Sequence, residues 1–381
     1  MLSVLFNASS LRLPMTGVGQ YTLHLARGLA ALQAFDLDFF DGARSSRELR
    51  CDPSARRGTT RAWVRRFVPR AYDIKRLLEQ RRFDRASRGH ELYHEPATLP
   101  LDFDGRTVVT VHDLSWIRHP ETHPPQRVRA LARHFEPALR KASCVLTGSA
   151  FIKQEIIDEF GLPPTSIEVI PHGRDPAFQP MGAEQTGAVL GARGLAHGGY
   201  FLSVGTLEPR KNLALAIRAH AALPAALRAR CPLVIAGMKG WGDSPLGEQF
   251  ATAVASADIR IVGYLERGEL ARLTAGALAM VYPSLYEGFG LPPLEAMACG
   301  VPPITSNAAS LPEVVGDAGL MVDPGDVDGL AAAMRRIALD PAERSELSAR
   351  SRARAENFTW ERCALATAAA YRRVAAGGGP S

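Results

Sequence analysis

Two glutamates eight positions apart, Glu287 and Glu295, stand in the stretch "SLYEGFGLPPLEAMACG" at residues 284–300. Between them, Gly288 and Gly290 let the backbone amides of Gly288, Phe289, Gly290 and Leu291 approach an anion or a polyol closely. Pro292 and Pro293 suit a loop that runs into the first helical position, which puts Glu295 in the first turn of a helix. There the helix dipole favours a carboxylate, and the carboxylate can accept hydrogen bonds from vicinal hydroxyls such as a ribose pair. Glu287, on the strand side of the loop, faces the next portion of the same ligand. A compound with hydroxyls at both ends and phosphates between them, a nucleotide sugar, fits this pattern.

Three further groupings carry chemistry. In "FLSVGTLEPRKNLALAIRAH", Arg210 and Lys211 sit at the mouth of a helix that begins near Asn212. Two cations beside a helix N-terminus suit a diphosphate, the plainer alternative being a solvated basic pair. In "TVVTVHDLSW", His112 and Asp113 end a buried strand, where the histidine either caps and packs or meets a ligand. In "NASSLRLPMTGVGQYTLHLARGL", Gly17 and Gly19 open an amphipathic helix and let backbone N–H groups approach an anion. A dinucleotide fingerprint would need glycine where Thr22 stands and a shorter loop from the strand, so that reading is set aside.

These residues need strand-to-helix loops to hold them, and the pattern along the chain supplies such loops. Short apolar runs ("SVLFNA", "FDLDFF", "ELYHE", "TVVTVH", "CVLTGS", "IEVIP") alternate with helical patterns at 18–33, 70–86, 125–141 and 150–160. A second series ("YFLSVGT", "PLVIAG", "IRIVGY", "LAMVYPS", "PPITS", "GLMVD") alternates with helices near 211–223, 246–257, 268–276 and 293–299. Near-continuous apolar strands separated by helices indicate parallel sheets covered on both faces. The α/β pattern runs twice in 381 residues, enough for two cores. Residues 176–199, rich in proline and glycine, read as a linker with an opening helix. Helices at 326–338, 341–355 and 359–374 follow, then a frayed tail.

Composition narrows the classes. Apolar residues make up 46% and charged residues 22%, an ordinary globular balance. Five scattered cysteines, in no CxxC or CxxxH pattern, argue against a disulfide framework and a zinc site and fit a reduced cytoplasm. "MLSVLFNASS" reads as a first strand rather than a signal peptide, and no apolar run is long enough to span a membrane.

Together "LSVGTLEPRKNL", "YPSLYEGFGLPPLEAMACGVPPITSNAASLPEVVGDAGLMVDPGD", "TVHDLSW" and "TGVGQYT" resemble glycosyltransferase family four, the group 1 retaining glycosyltransferases of the GT-B fold. The resemblance covers nearly the whole chain, and its most specific element is the pair Glu287 and Glu295. It implies two facing Rossmann-like doubly wound parallel-sheet domains with a cleft between them. Residues 1–178 would form the acceptor-side domain and 179–358 the nucleotide-sugar domain, with 359–381 as a C-terminal helix crossing back and a frayed tail. It also implies roles: Glu295 on the donor ribose, and Glu287 with the backbone of Gly288, Phe289, Gly290 and Leu291 on the sugar and distal phosphate. Arg210 and Lys211 would neutralise the departing diphosphate, Gly17 and Gly19 would approach it, and His112 would contact the transferred sugar. The strand end at Gly263, Tyr264 and Leu265 would pack the nucleobase. Thr16 stands where the commoner form of the first loop has another glycine, which weakens the case for Gly17.

Mechanism follows from the same resemblance. "DLD" (36–38), "DFD" (102–104) and "DVD" (326–328) match a bare metal-binding DxD, but lie in a strand, in a turn and at a distant helix start. They read as chance, so no metal or other cofactor is expected and protein cations take the leaving-group charge. No carboxylate pair is placed as nucleophile and acid, and front-face substitution with retention is the expected route. The wording is most like bacterial mannosyl- and rhamnosyltransferases of O-antigen or capsule assembly, which favours GDP-mannose as donor and a glycan or lipid-linked glycan as acceptor. A nucleotide-sugar epimerase of the same fold and a non-catalytic nucleotide-sugar-binding subunit are the alternatives.

The net charge of +6 comes from one segment: residues 55–89 hold 12 Lys and Arg against 3 Asp and Glu. Within it, residues 61–70 space Trp63 with Phe67 among Arg61, Arg65, Arg66 and Arg70. That is either a short helix touching an anionic inner-membrane surface from the cytoplasm or a solvated basic helix. No aromatic-basic reading motif accompanies it, so nucleic acid is not an expected partner.

Overall fold

The computed structural model describes residues 1–11, 15–50, 71–238 and 258–377. The expected helices at 61–70 and 246–257 lie outside the described residues. The chain divides into two compact units. The first comprises Met1–Leu114, Pro125–Gly173 and Trp360–Ser381, the second Ser115–Pro124 and Arg174–Thr359. The change of unit thus falls at 173/174, a few residues before the expected 178/179, and ten residues around the short helix Ser115–Arg118 belong to the second unit.

The first unit is built on seven strands: β1 Ser3–Asn7, β2 Asp36–Phe40, β3 Ser45–Ser46, β4 Leu92–Glu95, β5 Arg106–Val111, β6 Cys144–Thr147 and β7 Ile167–Val169. Their order is β3-β2-β1-β4-β5-β6-β7. All neighbours are parallel except β3, which turns back on β2 through Phe40 and Ser45. Register sets apolar residues side by side, with Val4 between Leu37 and Leu92, and Val109 opposite Val145. The helix Trp360–Ala375 closes this unit against the helix Gly17–Ala31. The contact is close because Gly28 has no side chain: a Cβ there would sit 2.7 Å from Cβ of Ala364.

The second unit has an all-parallel sheet of β8 Phe201–Val204, β9 Leu233–Ala236, β10 Ile259–Gly263, β11 Ala279–Tyr282, β12 Pro303–Ser306 and β13 Leu320–Val322, ordered β10-β9-β8-β11-β12-β13. Alternation along each strand feeds two cores. Leu202, Val234, Met280 and Tyr282 pack under the helices Ala183–Gly191, Arg267–Ala275 and Leu291–Ala298. Phe201, Leu233, Ile235, Ala279 and Val281 face Leu213–Ala221 and Val327–Leu339. Burial on both faces is why these strands read as unbroken apolar runs.

The strand orders matter for function. In the second sheet the chain leaves β8 toward β9, whereas β11 lies on the other side of β8. The loops after β8 and β11 therefore diverge, and such a switch point opens a crevice at the carboxyl ends of the strands. The first sheet has its own switch point between β1 and β4.

Candidate functional site

Both glutamates and both cations named from the sequence lie at the switch point of the second unit. After β8 the chain makes a 3-10 turn, Pro209–Lys211, and enters its helix at Leu213, one residue after the expected start near Asn212. Asn212 between them is left-handed, with φ of 53°, a conformation that Asn tolerates. Its Nδ2 donates to the carbonyls of Pro283 at 3.1 Å and Pro324 at 2.8 Å. The amide of Leu285 donates to the Arg210 carbonyl at 2.9 Å. The loops after β8 and β11 are thus held together by backbone groups as well as by charge.

Glu287 is the hub. Lys211 Nζ donates to its Oε1 at 2.7 Å, and the Tyr282 hydroxyl donates to the same oxygen at 2.9 Å. Arg210 Nη1 reaches Oε2 at 3.3 Å and the Tyr286 carbonyl at 2.9 Å. Lys211 also donates to the Tyr282 hydroxyl at 2.8 Å. Burial acts to raise the pKa of Glu287, but Lys211 and Arg210 outweigh it and hold the carboxyl below its ordinary range. For Lys211, burial dominates and lowers the ammonium, with Glu287 acting against it.

Neither cation is a solvated surface charge. Arg210 Nη2 donates to Glu208 at 2.7 Å, so Arg210 and Lys211 are balanced by Glu208 and Glu287 in one cluster. A free basic pair could not stay mostly buried, because an unpaired buried charge is expensive. What the cluster offers a ligand is a set of oriented donors.

Glu295 is buried but is not in the first turn. The helix begins at Leu291, one residue after Gly290, so Glu295 is its fifth residue. Gly290 has φ of 106°, and a Cβ there would lie 2.8 Å from Leu311 Cδ2, so a side chain there would strain the turn that starts the helix. Arg267, which no sequence motif pointed to, donates through Nη2 to Glu295 Oε1 and through Nε to Asp175 Oδ2, the latter at 2.7 Å. Its guanidinium lies over the Phe178 ring, 4.4 Å from the centroid. Gly263, with φ of 69°, ends β10, followed by exposed Tyr264 and buried Leu265 just ahead of Arg267. The backbone of residues 288–291 lies between the two glutamates along the chain, while the Phe289 ring turns into the core against Phe358, 5.8 Å between centroids.

The remaining predicted residues belong to the first unit. His112 follows β5, and its Nε2 lies 2.7 Å from the Pro96 carbonyl. A carbonyl only accepts, so that nitrogen carries the hydrogen and Nδ1 is the acceptor. Burial lowers the pKa of His112, which keeps the ring neutral, and Tyr21 and His172 pack against it at 4.7 and 5.6 Å. Gly17 is exposed and opens its helix. Gly19 is buried, and a Cβ there would lie 2.6 Å from Met15 Cγ. Its smallness therefore accommodates Met15. At the neighbouring strand end, Glu95 accepts from Asn7 Nδ2 and the Tyr93 hydroxyl, both at 2.6 Å, and from the Ala97 amide at 2.8 Å. Burial raises Glu95 to a pKa of about 7.

Two of the three aspartate triplets are engaged locally. Asp38 pairs with His90 at 3.2 Å, and Asp326 caps its helix through the Gly329 amide at 2.8 Å. Among the described residues no group of three or more His, Cys, Asp or Glu is gathered as metal ligands, and no helix is long and apolar enough to cross a membrane.

Comparison with known proteins places this architecture. Sucrose-phosphate synthase from Thermosynechococcus elongatus superposes with a TM-score of 0.74 at 21% identity, over 99% of this chain and 100% of that one. WaaG, a glycosyltransferase involved in lipopolysaccharide biosynthesis, gives 0.68 at 16% identity, over 96% and 98%. The fold is that of the GT-B glycosyltransferases. The sequence profile described as Glycosyltransferase Family 4 matches residues 15–178, and that of Glycosyl transferases group 1 matches 197–354. O-antigen chain mannosyltransferase B of Escherichia coli is 38% identical over 381 residues, 97% of this chain and 100% of the relative. The chain belongs to the family four, group 1 glycosyltransferases.

Proposed function

We propose that the protein transfers a mannosyl group from GDP-mannose to a glycan or lipid-linked glycan acceptor in assembly of a cell-surface polysaccharide of the O-antigen type. The observation that carries the donor site is the pair of charge clusters flanking the 288–291 loop, Glu287 with Lys211 and Arg210 on one side, Glu295 with Arg267 on the other. The full-length likeness to a mannosyltransferase supports the choice of sugar. In this reading Glu295 accepts hydrogen bonds from the ribose hydroxyls, the amides of residues 288–291 hold the distal phosphate, and Glu287 meets the sugar. Neutral His112 contacts the transferred sugar as an acceptor through Nδ1.

Transfer proceeds with retention and without a metal. The bond from the anomeric carbon to the phosphate oxygen breaks, and the acceptor oxygen bonds to that carbon on the same face. The acceptor's proton passes to the departing phosphate. Lys211 and Arg210 meet the charge that develops, and their fixed positions mean little reorganisation at that moment. We assign the reaction to the cytoplasm. Peripheral membrane contact through residues 61–70 extends, in this reading, to exposed Leu77 and Leu78 beside Arg81 and Arg82 on the helix Ala71–Ala86. Sedimentation with anionic but not neutral liposomes tests that contact.

The donor reading is tested by titration calorimetry. Glu295→Ala is expected to weaken both GDP and GDP-mannose, whereas Glu287→Ala should leave GDP affinity nearly unchanged and abolish transfer. The reverse pattern would exchange the two roles, and no binding of any nucleotide to the folded protein would remove the reading.

A further inference from the structure

The guanidinium of Arg267 is used on two of its three nitrogens. Nη2 donates to Glu295 and Nε to Asp175, while the Phe178 ring supports the flat face. Nη1 makes no hydrogen bond among the described residues and is not a buried atom, and the side chain is 27% exposed. Three contacts on three sides fix the plane of the group, so the third nitrogen has one direction available to it. Glu266, Arg267 and the helix they open come directly after Gly263, Tyr264 and Leu265 at the end of β10.

A nucleoside whose ribose hydroxyls sit on Glu295 places its base one sugar ring away, within reach of a group already bonded to that carboxylate. Arginine only donates and stays charged. Guanine presents two acceptors, O6 and N7, along one edge, whereas adenine presents an amine where guanine has O6. A donor fixed at this point donates to the first edge and, at the adenine amine, meets another donor.

We infer that Arg267 reads the nucleobase: it locks Glu295 for the ribose and selects, through Nη1, a base with an acceptor edge, guanine over adenine. The inference rests on the assignment of Glu295 to the ribose. Discrimination by one such contact to a base edge is roughly tenfold or more. Asp175 and Phe178 act through Arg267 as positioning residues and touch no ligand themselves.

The test titrates GDP, UDP and ADP into the full-length protein and into Arg267→Lys and Arg267→Gln, with circular dichroism to confirm folding. The native protein is expected to bind GDP at least about tenfold tighter than ADP, and both variants to bring that ratio within about threefold of unity while still binding GDP. A native protein without GDP preference, or variants that keep the native ratio, overturns the inference. Equal loss of all three nucleotides in the folded variants also overturns it, leaving Arg267 as a clamp on Glu295 alone. Glu295→Ala separates the two levels. If its nucleoside diphosphate affinity is unchanged, the ribose assignment fails first; if affinity falls but the Arg267 variants keep their base preference, only the role of Arg267 fails.

Discussion

Replacing Glu287 with glutamine removes a charge and keeps the shape, and its cost can be worked out from the cluster. The side chain is buried and receives Lys211 at 2.7 Å, Tyr282 at 2.9 Å and Arg210 at 3.3 Å. After the change Arg210 retains Glu208 at 2.7 Å, while Lys211 retains the Tyr282 hydroxyl as its hydrogen-bond partner. One buried ammonium is stranded, not two. Breaking a buried pair from one side costs about 3–5 kcal/mol, and a single stranded cation puts Glu287→Gln near the lower end. The second unit holds about 200 residues, a size at which each kcal/mol moves the unfolding midpoint by roughly 2–4 °C. A fall of roughly 6–12 °C is expected at neutral pH.

The pH dependence adds a second check on the same variant. The folded pKa of Glu287 is depressed, so its contribution is present above the ordinary carboxylate value, about 4.3, and is lost as pH falls through the folded value. The folded pKa of Lys211 is lowered too. The cost of its stranded charge is therefore full at neutral pH and recedes as pH rises toward about 10.4, where unfolded lysine also loses its proton. The gap between native protein and Glu287→Gln should be widest near neutrality and narrow in both directions. Urea unfolding near pH 3, 7.5 and 10 measures it. A variant within about 0.5 kcal/mol of native at pH 7.5, the range of a surface change, or a gap independent of pH, would refute the reasoning.

Three further outcomes are expected. Lys211→Ala should lower kcat by about 10²–10³-fold, the scale of losing one fixed charge stabiliser, with donor affinity falling less; steady-state kinetics within a few-fold of native would take Lys211 out of the mechanism. Turnover should survive EDTA, and complete loss restored by magnesium or manganese would count against protein cations as the source of charge stabilisation. Glu95, raised to about 7, is favoured protonated by the folded state, so its stabilisation is full below about pH 4.3 and lost as pH rises through 7. Glu95→Gln should remove roughly 3 kcal/mol of pH dependence between pH 5 and 8, read as amide exchange in β4.

Much of this was legible in the sequence because burial on both faces writes itself as apolar runs. Of the thirteen strands among the described residues, β3 alone went unread, since Ser45–Ser46 carries no apolar signal. The helices Ala225–Arg230 and Leu311–Val315 are too short for a period to show. At the site, Glu287, Arg210 and Lys211 were visible because each lies within two residues of a glycine or proline at a strand end, and Glu295 because of its spacing from Glu287. The pairing among them was not. Glu208 is two residues from Arg210, yet nothing local marks it as the counter-charge that makes the cluster neutral. Arg267 reaches Glu295 across 28 positions and Asp175 across 92, and such contacts exist only once the sheet order is set.

The central claim is sugar transfer from a nucleotide donor with the anomeric configuration kept. The most direct measurement is an incubation of the full-length protein with GDP-mannose and a mannose-terminated glycan, followed by proton NMR of the product and quantitation of released GDP. One α-linked mannose per GDP, lost in Lys211→Ala and in Glu287→Ala, is the predicted result. A β-linked product, or no transfer from any nucleotide sugar by the folded protein, would contradict it.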